Sequence, residues 1–210
     1  MTSAGRPGPP DPDGGPVPPA VVAGPRWHPS PGPRVTSWLV DWAVVGAWLG
    51  VLTLVGLLVR GSWSTPQASA PTTGTLLLTD LLLTLGTVVP YVLYLALAES
   101  SPARATLGKR VGHLVVAGEH GGRAAAGAVW VRNLVKASPW QLAHLGVSRA
   151  VLDLQPGAAM VLVLLSLVLV AACAVPSLVG GRGLHDRLAG TRVERATGVP
   201  AARSSQAEGR

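Results

Sequence analysis

A charge-free run of 18 residues, Trp42 to Val59, lies between Arg34 and Arg60 and constrains this chain more than any other stretch. At about 1.5 Å per residue it covers most of a hydrocarbon core roughly 30 Å thick. A soluble helix of that length would carry a polar face, and this one carries none, so the segment is read as membrane-spanning. The one charge between the bracketing arginines is Asp41, just ahead of the run. A carboxylate in a spanning helix costs about 2.5 to 3.5 kcal/mol at the centre and less toward an end, so Asp41 is expected to have a partner or a purpose.

The remainder of the chain has the same character. Of 210 residues, 48% are hydrophobic and 13% charged, the profile of a membrane protein rather than of a soluble enzyme. The net charge of +7 comes from basic residues in the segments flanking the apolar runs. Insertion topology and contact with anionic lipid headgroups account for them, so nucleic acid is not an expected partner. Cys173 is the single cysteine and sits in an apolar run, which excludes an intramolecular disulfide.

Residues 1–33 hold 11 of the 19 prolines and few large apolar side chains, so a disordered tail is expected there. The first span, 34–60, has Trp38 and Trp63 near its ends, and Gly46 and Gly50 one turn apart. That small-residue strip fits close helix packing within the chain, or a homo-oligomer contact. Residues 61–75 form a loop without charge, which places it outside and both termini in the cytoplasm. A second span follows over Leu76–Ala98, bent at Pro90, whose missing amide frees the Gly86 carbonyl for Thr87 or a neighbouring helix. It carries Asp80 near its external end, on the order of 20 Å from the depth of Asp41, so the two carboxylates are expected to be separate sites.

The polar stretch 99–123 is read as cytoplasmic, with a strand over Val111–Ala117. The third hydrophobic stretch, Ala124–Val147, is weaker, because Arg132, Asn133 and Lys136 share a sector and Ser138-Pro139 is expected to break the helix. It fits either an amphipathic helix on the inner surface or a fourth crossing. The last run, Ala158–Val179, is a clear span followed by Arg182, Arg187, Arg192 and Arg195. Four crossings leave that basic end inside, whereas three would put it outside, so four are favoured. Thr191–Arg195 alternates as a short strand able to pair with the first, and residues 197–210 are expected to be a second disordered tail. The fold class is therefore an all-α membrane protein, a transmembrane helical bundle with a small cytoplasmic two-stranded β element.

Three motifs then coincide in order and spacing: RVTSWLVDWAVV at 34–45, TLGKRVGHLVV at 106–116 and LHDRLAGTRV at 184–193. Together they resemble the RDD family of bacterial membrane proteins, named for one arginine and two aspartates, over about residues 34–196. The resemblance carries the arginine onto Arg34, the first aspartate onto Asp41 and the second onto Asp186. It departs from the family pattern in the Ala-Arg-Ala ahead of TLGKR and in the short external loop. It implies a multi-pass cell-membrane protein without an assigned activity.

A functional ionic network of Arg34, Asp41, Arg132 and Asp186 near the cytoplasmic face is expected, since each charge at that depth needs a partner from another segment. Asp80, Lys109, Arg110, Lys136 and His185 are secondary candidates. The histidines are dispersed, no Cys/His metal spacing occurs and no serine or cysteine has a recognisable base. No catalytic residue, metal or cofactor is therefore expected, and a structural or accessory membrane role is favoured. The alternative is a small cation/proton transporter using an intramembrane aspartate.

Overall fold

The computed structural model describes residues 29–62 and 70–196. The tails expected to be disordered lie outside the described residues, except for residues 29–33, of which 31–33 are not part of a tail but form the first turn of the first helix. Four long helical segments dominate: α1 (Pro31–Ser62), α2 (Thr73–Leu83) joined by a π-helical turn (Thr84–Val88) to α3 (Val89–Ser100), α5 (Ala126–Val151) and α6 (Pro156–Leu178). Shorter elements gather at one end: α4 (Leu107–Val111), β1 (Leu114–Gly118), α7 (Leu184–Leu188) and β2 (Thr191–Arg195).

Three stretches are long and apolar enough to cross a membrane: Pro31–Val59, Thr73–Ser100 and Pro156–Leu178. Their outward faces carry side chains that water would not tolerate in such number. Leu54 is 57% exposed and Val168 63%, as lipid-facing positions should be. The 26-residue α5 has the length of a span but carries Arg132, Lys136 and Arg149. It packs antiparallel to α6 at close range: a Cβ on Gly146 would sit 2.8 Å from Val163 Cγ2 and 3.0 Å from the Ala159 carbonyl oxygen.

Two of the helix-internal prolines, Pro90 and Pro139, are accommodated by side chains. Pro90 lacks the N–H that would bond the Gly86 carbonyl, and that carbonyl instead accepts from the Trp48 indole of α1 at 2.8 Å, beside the π-helical turn. Pro139 was expected to end its helix, yet α5 runs through it. The Ser138 hydroxyl donates to the Val135 carbonyl at 2.8 Å, replacing the missing amide, and Ser166 of α6 donates to the Pro139 carbonyl at 2.7 Å. The break is repaired locally and across the helix pair.

The first strand also differs from expectation. Thr106 caps α4 through a bond from the Lys109 amide, so the motif TLGKRV opens as a helical turn, and β1 starts only at Leu114. β1 and β2 pair antiparallel from Leu114↔Arg195 to Gly118↔Thr191, with β2 spanning the residues expected. Among the described residues the Gly46 and Gly50 strip packs against nothing: a Cβ at either glycine would meet no atom within 4 Å. The intrachain packing expected of it is not formed, because α1 meets the second span through Trp48 and Leu52 rather than through these glycines.

Candidate functional site

The polar cap and the adjoining helix ends are bonded through charged side chains, and the geometry starts at Asp41. One carboxylate oxygen accepts from the Tyr94 hydroxyl at 2.8 Å and from the Gly108 amide at 2.9 Å. The other accepts from the Thr106 hydroxyl at 2.7 Å. Asp41 is 5% exposed, so its charge is held by three neutral donors, two of them from the TLGKR motif. No basic group lies within ion-pair distance of it among the described residues, which corrects the expectation that it pairs with Arg132, Lys136, Lys109 or Arg110. The reason is geometric: Gly108 has no side chain, so α4 comes close enough to α1 for a backbone amide to reach the carboxylate first.

The ionic centre is built instead on Glu99, which motif reasoning passed over. It is fully buried at the end of α3, bonded to Lys109 Nζ at 2.7 Å and to Asn133 Nδ2 at 2.9 Å, with Arg132 Nε 3.5 Å away. Arg132 turns its other edge to Asp186 at 3.0 Å, and Asp186 also accepts from the Thr191 hydroxyl at 2.9 Å. One chain of bonds thus ties α3, α4, α5, α7 and β2 together. The signal in the sequence was modest: Glu99 is the lone acid between an apolar run and the basic stretch that contains Arg104, Lys109 and Arg110.

Electrostatics follow from burial. Burial draws the Lys109 ammonium down to about 8, against the opposing pull of Glu99. Burial alone would raise the Asp186 carboxyl, but the Arg132 guanidinium outweighs it and holds the group below its ordinary value. His185 lies 3.4 Å from Asp186. Burial first, and then the Arg132 charge, push its pKa to about 3, so the imidazole is neutral and this contact is not an ion pair.

Among the described residues, Arg34 does not pair with a carboxylate either. It is buried in α1, and its Nη1 donates to the carbonyls of Ser177 at 3.1 Å and Gly181 at 3.3 Å. A cation there satisfies carbonyls freed at the end of α6 and sits at the negative end of that helix. Arg34, Asp41, Arg132 and Asp186 do line one cavity of about 380 Å³, together with Lys109, Lys136 and His185. Arg110 is exposed and lies outside it. The four expected network residues thus share a cavity, but only Arg132 and Asp186 are bonded to each other. Above the charged floor, Trp42 stacks on Trp140 with ring centroids 4.9 Å apart, and Tyr91 packs against both at 6.4 and 5.7 Å. Among the described residues, no three His, Cys, Asp or Glu side chains gather as a metal site.

Asp80 is a separate contact at the opposite end of the bundle. It accepts from Ser148 at 2.5 Å and pairs with Arg149 at 3.1 Å, with side chains 12% and 16% exposed. Asparagine at this position keeps an acceptor for Ser148. Asp80→Asn is expected to cost about 1 kcal/mol and to lower the thermal midpoint of purified protein less than Asp41→Asn does. The reverse order would count against the assignment of Asp41 as the more deeply committed carboxylate.

A family model described as the RDD family matches residues 28–190 of the chain. No curated protein and no solved structure matches it.

Proposed function

This chain belongs to the RDD family, and from that premise we propose that it is a non-enzymatic multi-pass membrane component, structural or accessory in role, in which a polar cap is bonded onto one end of a four-crossing bundle. The observation that carries this reading is that the buried carboxylates at the cap are committed. Asp41 holds three donors, Glu99 holds Lys109 and Asn133, and Asp186 holds Arg132 and Thr191. A carboxylate that relays a cation or proton has to exchange its partners in every cycle. Groups fixed by this many bonds serve better as joints than as relays.

The test is ion flux in proteoliposomes. Wild-type protein is expected to conduct sodium, potassium and protons no faster than empty vesicles, and Asp41→Asn to lower the thermal midpoint without altering flux. Saturable cation-driven proton flux in wild type, abolished in a normally folded Asp41→Asn, would establish the transporter alternative.

The crossing number of α5 draws support from its neighbours. Asp80, in the first third of the Thr73–Ser100 span, meets Ser148 and Arg149 near the end of α5, while Glu99 at the end of that span meets Asn133 and Arg132 in the first half of α5. From 132 to 149 the helix covers about 25 Å, so it accompanies the second span through nearly the whole depth of a hydrocarbon core. A helix lying flat on the surface could not make both contacts. Arginines at the cap end favour the cytoplasmic side for it and for both termini. A cysteine placed at Asp153, in the α5–α6 turn, is expected to react with an impermeant maleimide from outside intact cells. One placed at His120 is expected to react only after permeabilisation. Protection of both would indicate three crossings.

A further inference from the structure

The cavity at the cap has an imbalance that the bonding of its carboxylates makes plain. Two of its lining cations, Arg34 and Lys136, have no carboxylate within ion-pair distance among the described residues, and no hydrogen bond engages the Lys136 ammonium. Four further buried nitrogens on lining residues lack hydrogen-bond partners: Arg34 Nε, on a residue 5% exposed, Arg132 Nε, the Trp140 indole Nε1 and His185 Nδ1. All but the imidazole nitrogen are obligate donors. The nearby acceptors, Asp41 and Asp186, are already occupied.

Such a lining selects its ligand by sign. A cation would meet Arg34 and Lys136 without a free carboxylate to offset them. A purely apolar molecule would leave the buried donors unsatisfied, each at a cost comparable to a lost hydrogen bond. An oxyanion with several acceptor oxygens matches them, since phosphate is well suited to charge-assisted bonds from guanidinium and ammonium groups. The other side of the cavity is apolar and aromatic, formed by Trp38, Trp42, Val45 and Val170, and its volume of about 380 Å³ holds more than an inorganic anion. Beyond Val45, α1 is largely uncovered, with Val51 52% and Val55 50% exposed, so a hydrocarbon chain can pass from the cavity into the bilayer alongside it.

The geometry points to a binding site for the phosphate group of an anionic membrane amphiphile, held by Arg34 and Lys136 with its hydrocarbon against the Trp42–Trp140 stack. The site is independent of whether the chain moves ions, and its test does not involve flux. A glycerophospholipid and a polyprenyl phosphate offer the same headgroup chemistry, and the arms of the experiment separate them.

Full-length protein in a non-ionic maltoside micelle is titrated with dodecyl phosphate and, separately, with dodecyltrimethylammonium, reading tryptophan fluorescence and thermal midpoint. The phosphate is expected to give a saturable change and a rise in midpoint, because a ligand that binds only the folded form stabilises it, and the ammonium neither. Lys136→Met and Arg34→Gln are each expected to weaken binding about tenfold, as loss of one charge-assisted contact should, with Lys136→Arg restoring it and the exposed Arg187→Gln leaving it unchanged. Because the choice between phosphate and ammonium is read on the unaltered protein, it stands even if a variant fails to fold. Displacement of dodecyl phosphate by phosphatidylglycerol assigns a phospholipid, and displacement by polyprenyl monophosphate a carrier lipid. Equal response to both dodecyl compounds, or displacement by inorganic phosphate at similar concentration, would overturn the site.

Discussion

Gly108→Ala is expected to detach the cap from the first helix. A Cβ at this position would stand 2.0 Å from the Ser37 carbonyl oxygen and 2.8 Å from Asp41 Cγ. The first of these is backbone of a long helix and cannot swing aside, so α4 has to back away. That movement stretches the Gly108 amide and Thr106 hydroxyl bonds to Asp41, now 2.9 and 2.7 Å, and leaves a buried carboxylate short of donors. Overpacking costs about 1 to 3 kcal/mol and an unsatisfied buried acceptor about as much again, so a loss of about 2 to 6 kcal/mol is expected. Thermal unfolding of purified protein in detergent measures it. Gly127→Ala is the internal control, since its Cβ would meet nothing within 4 Å in α5, and alanine there should be neutral or stabilising by up to about 1 kcal/mol. Matching midpoints for the two variants would show that close approach at Gly108 does not hold α4 in place.

Arg132→Met is expected to be the most damaging single change at the ionic centre. Arg132 is 2% exposed and lies between two carboxylates, Asp186 at 3.0 Å and Glu99 at 3.5 Å. Removing it leaves Asp186 with the Thr191 hydroxyl and no cation in contact, at a cost of about 3 to 5 kcal/mol for a desolvated pair broken on one side. A double-mutant cycle with Asp186→Asn isolates the pairwise part: the double variant should lose clearly less than the sum of the singles, because the second change removes the charge the first one stranded. Strict additivity would mean that the two side chains do not sense each other. The geometry also predicts that the charge swap Asp41→Arg with Arg132→Asp fails to rescue either single variant. Asp41 is bonded to Tyr94, Thr106 and Gly108, and an arginine there would face the Gly108 amide with no acceptor to offer it.

The sequence by itself determined the membrane character, three of the four long helical segments and the pairing of the Thr191–Arg195 strand with a strand after TLGKR. These depend on local quantities: the length of an uncharged run, the alternation of a short segment, and arginines at the ends of spans. The freed Gly86 carbonyl ahead of Pro90 was legible for the same reason, since a missing amide is a property of the residue itself. The partners of the buried charges were decided only by tertiary structure. That Asp41 is answered by an amide and two hydroxyls, that Glu99 rather than Asp41 meets the basic side chains, and that Pro139 is bridged by Ser138 and Ser166 all depend on how closely segments far apart in sequence approach. That approach is set by small residues and side-chain packing, on a scale of 1 Å. A change of that size decides which donor reaches a carboxylate first, and hydrophobic length and charge spacing do not resolve it.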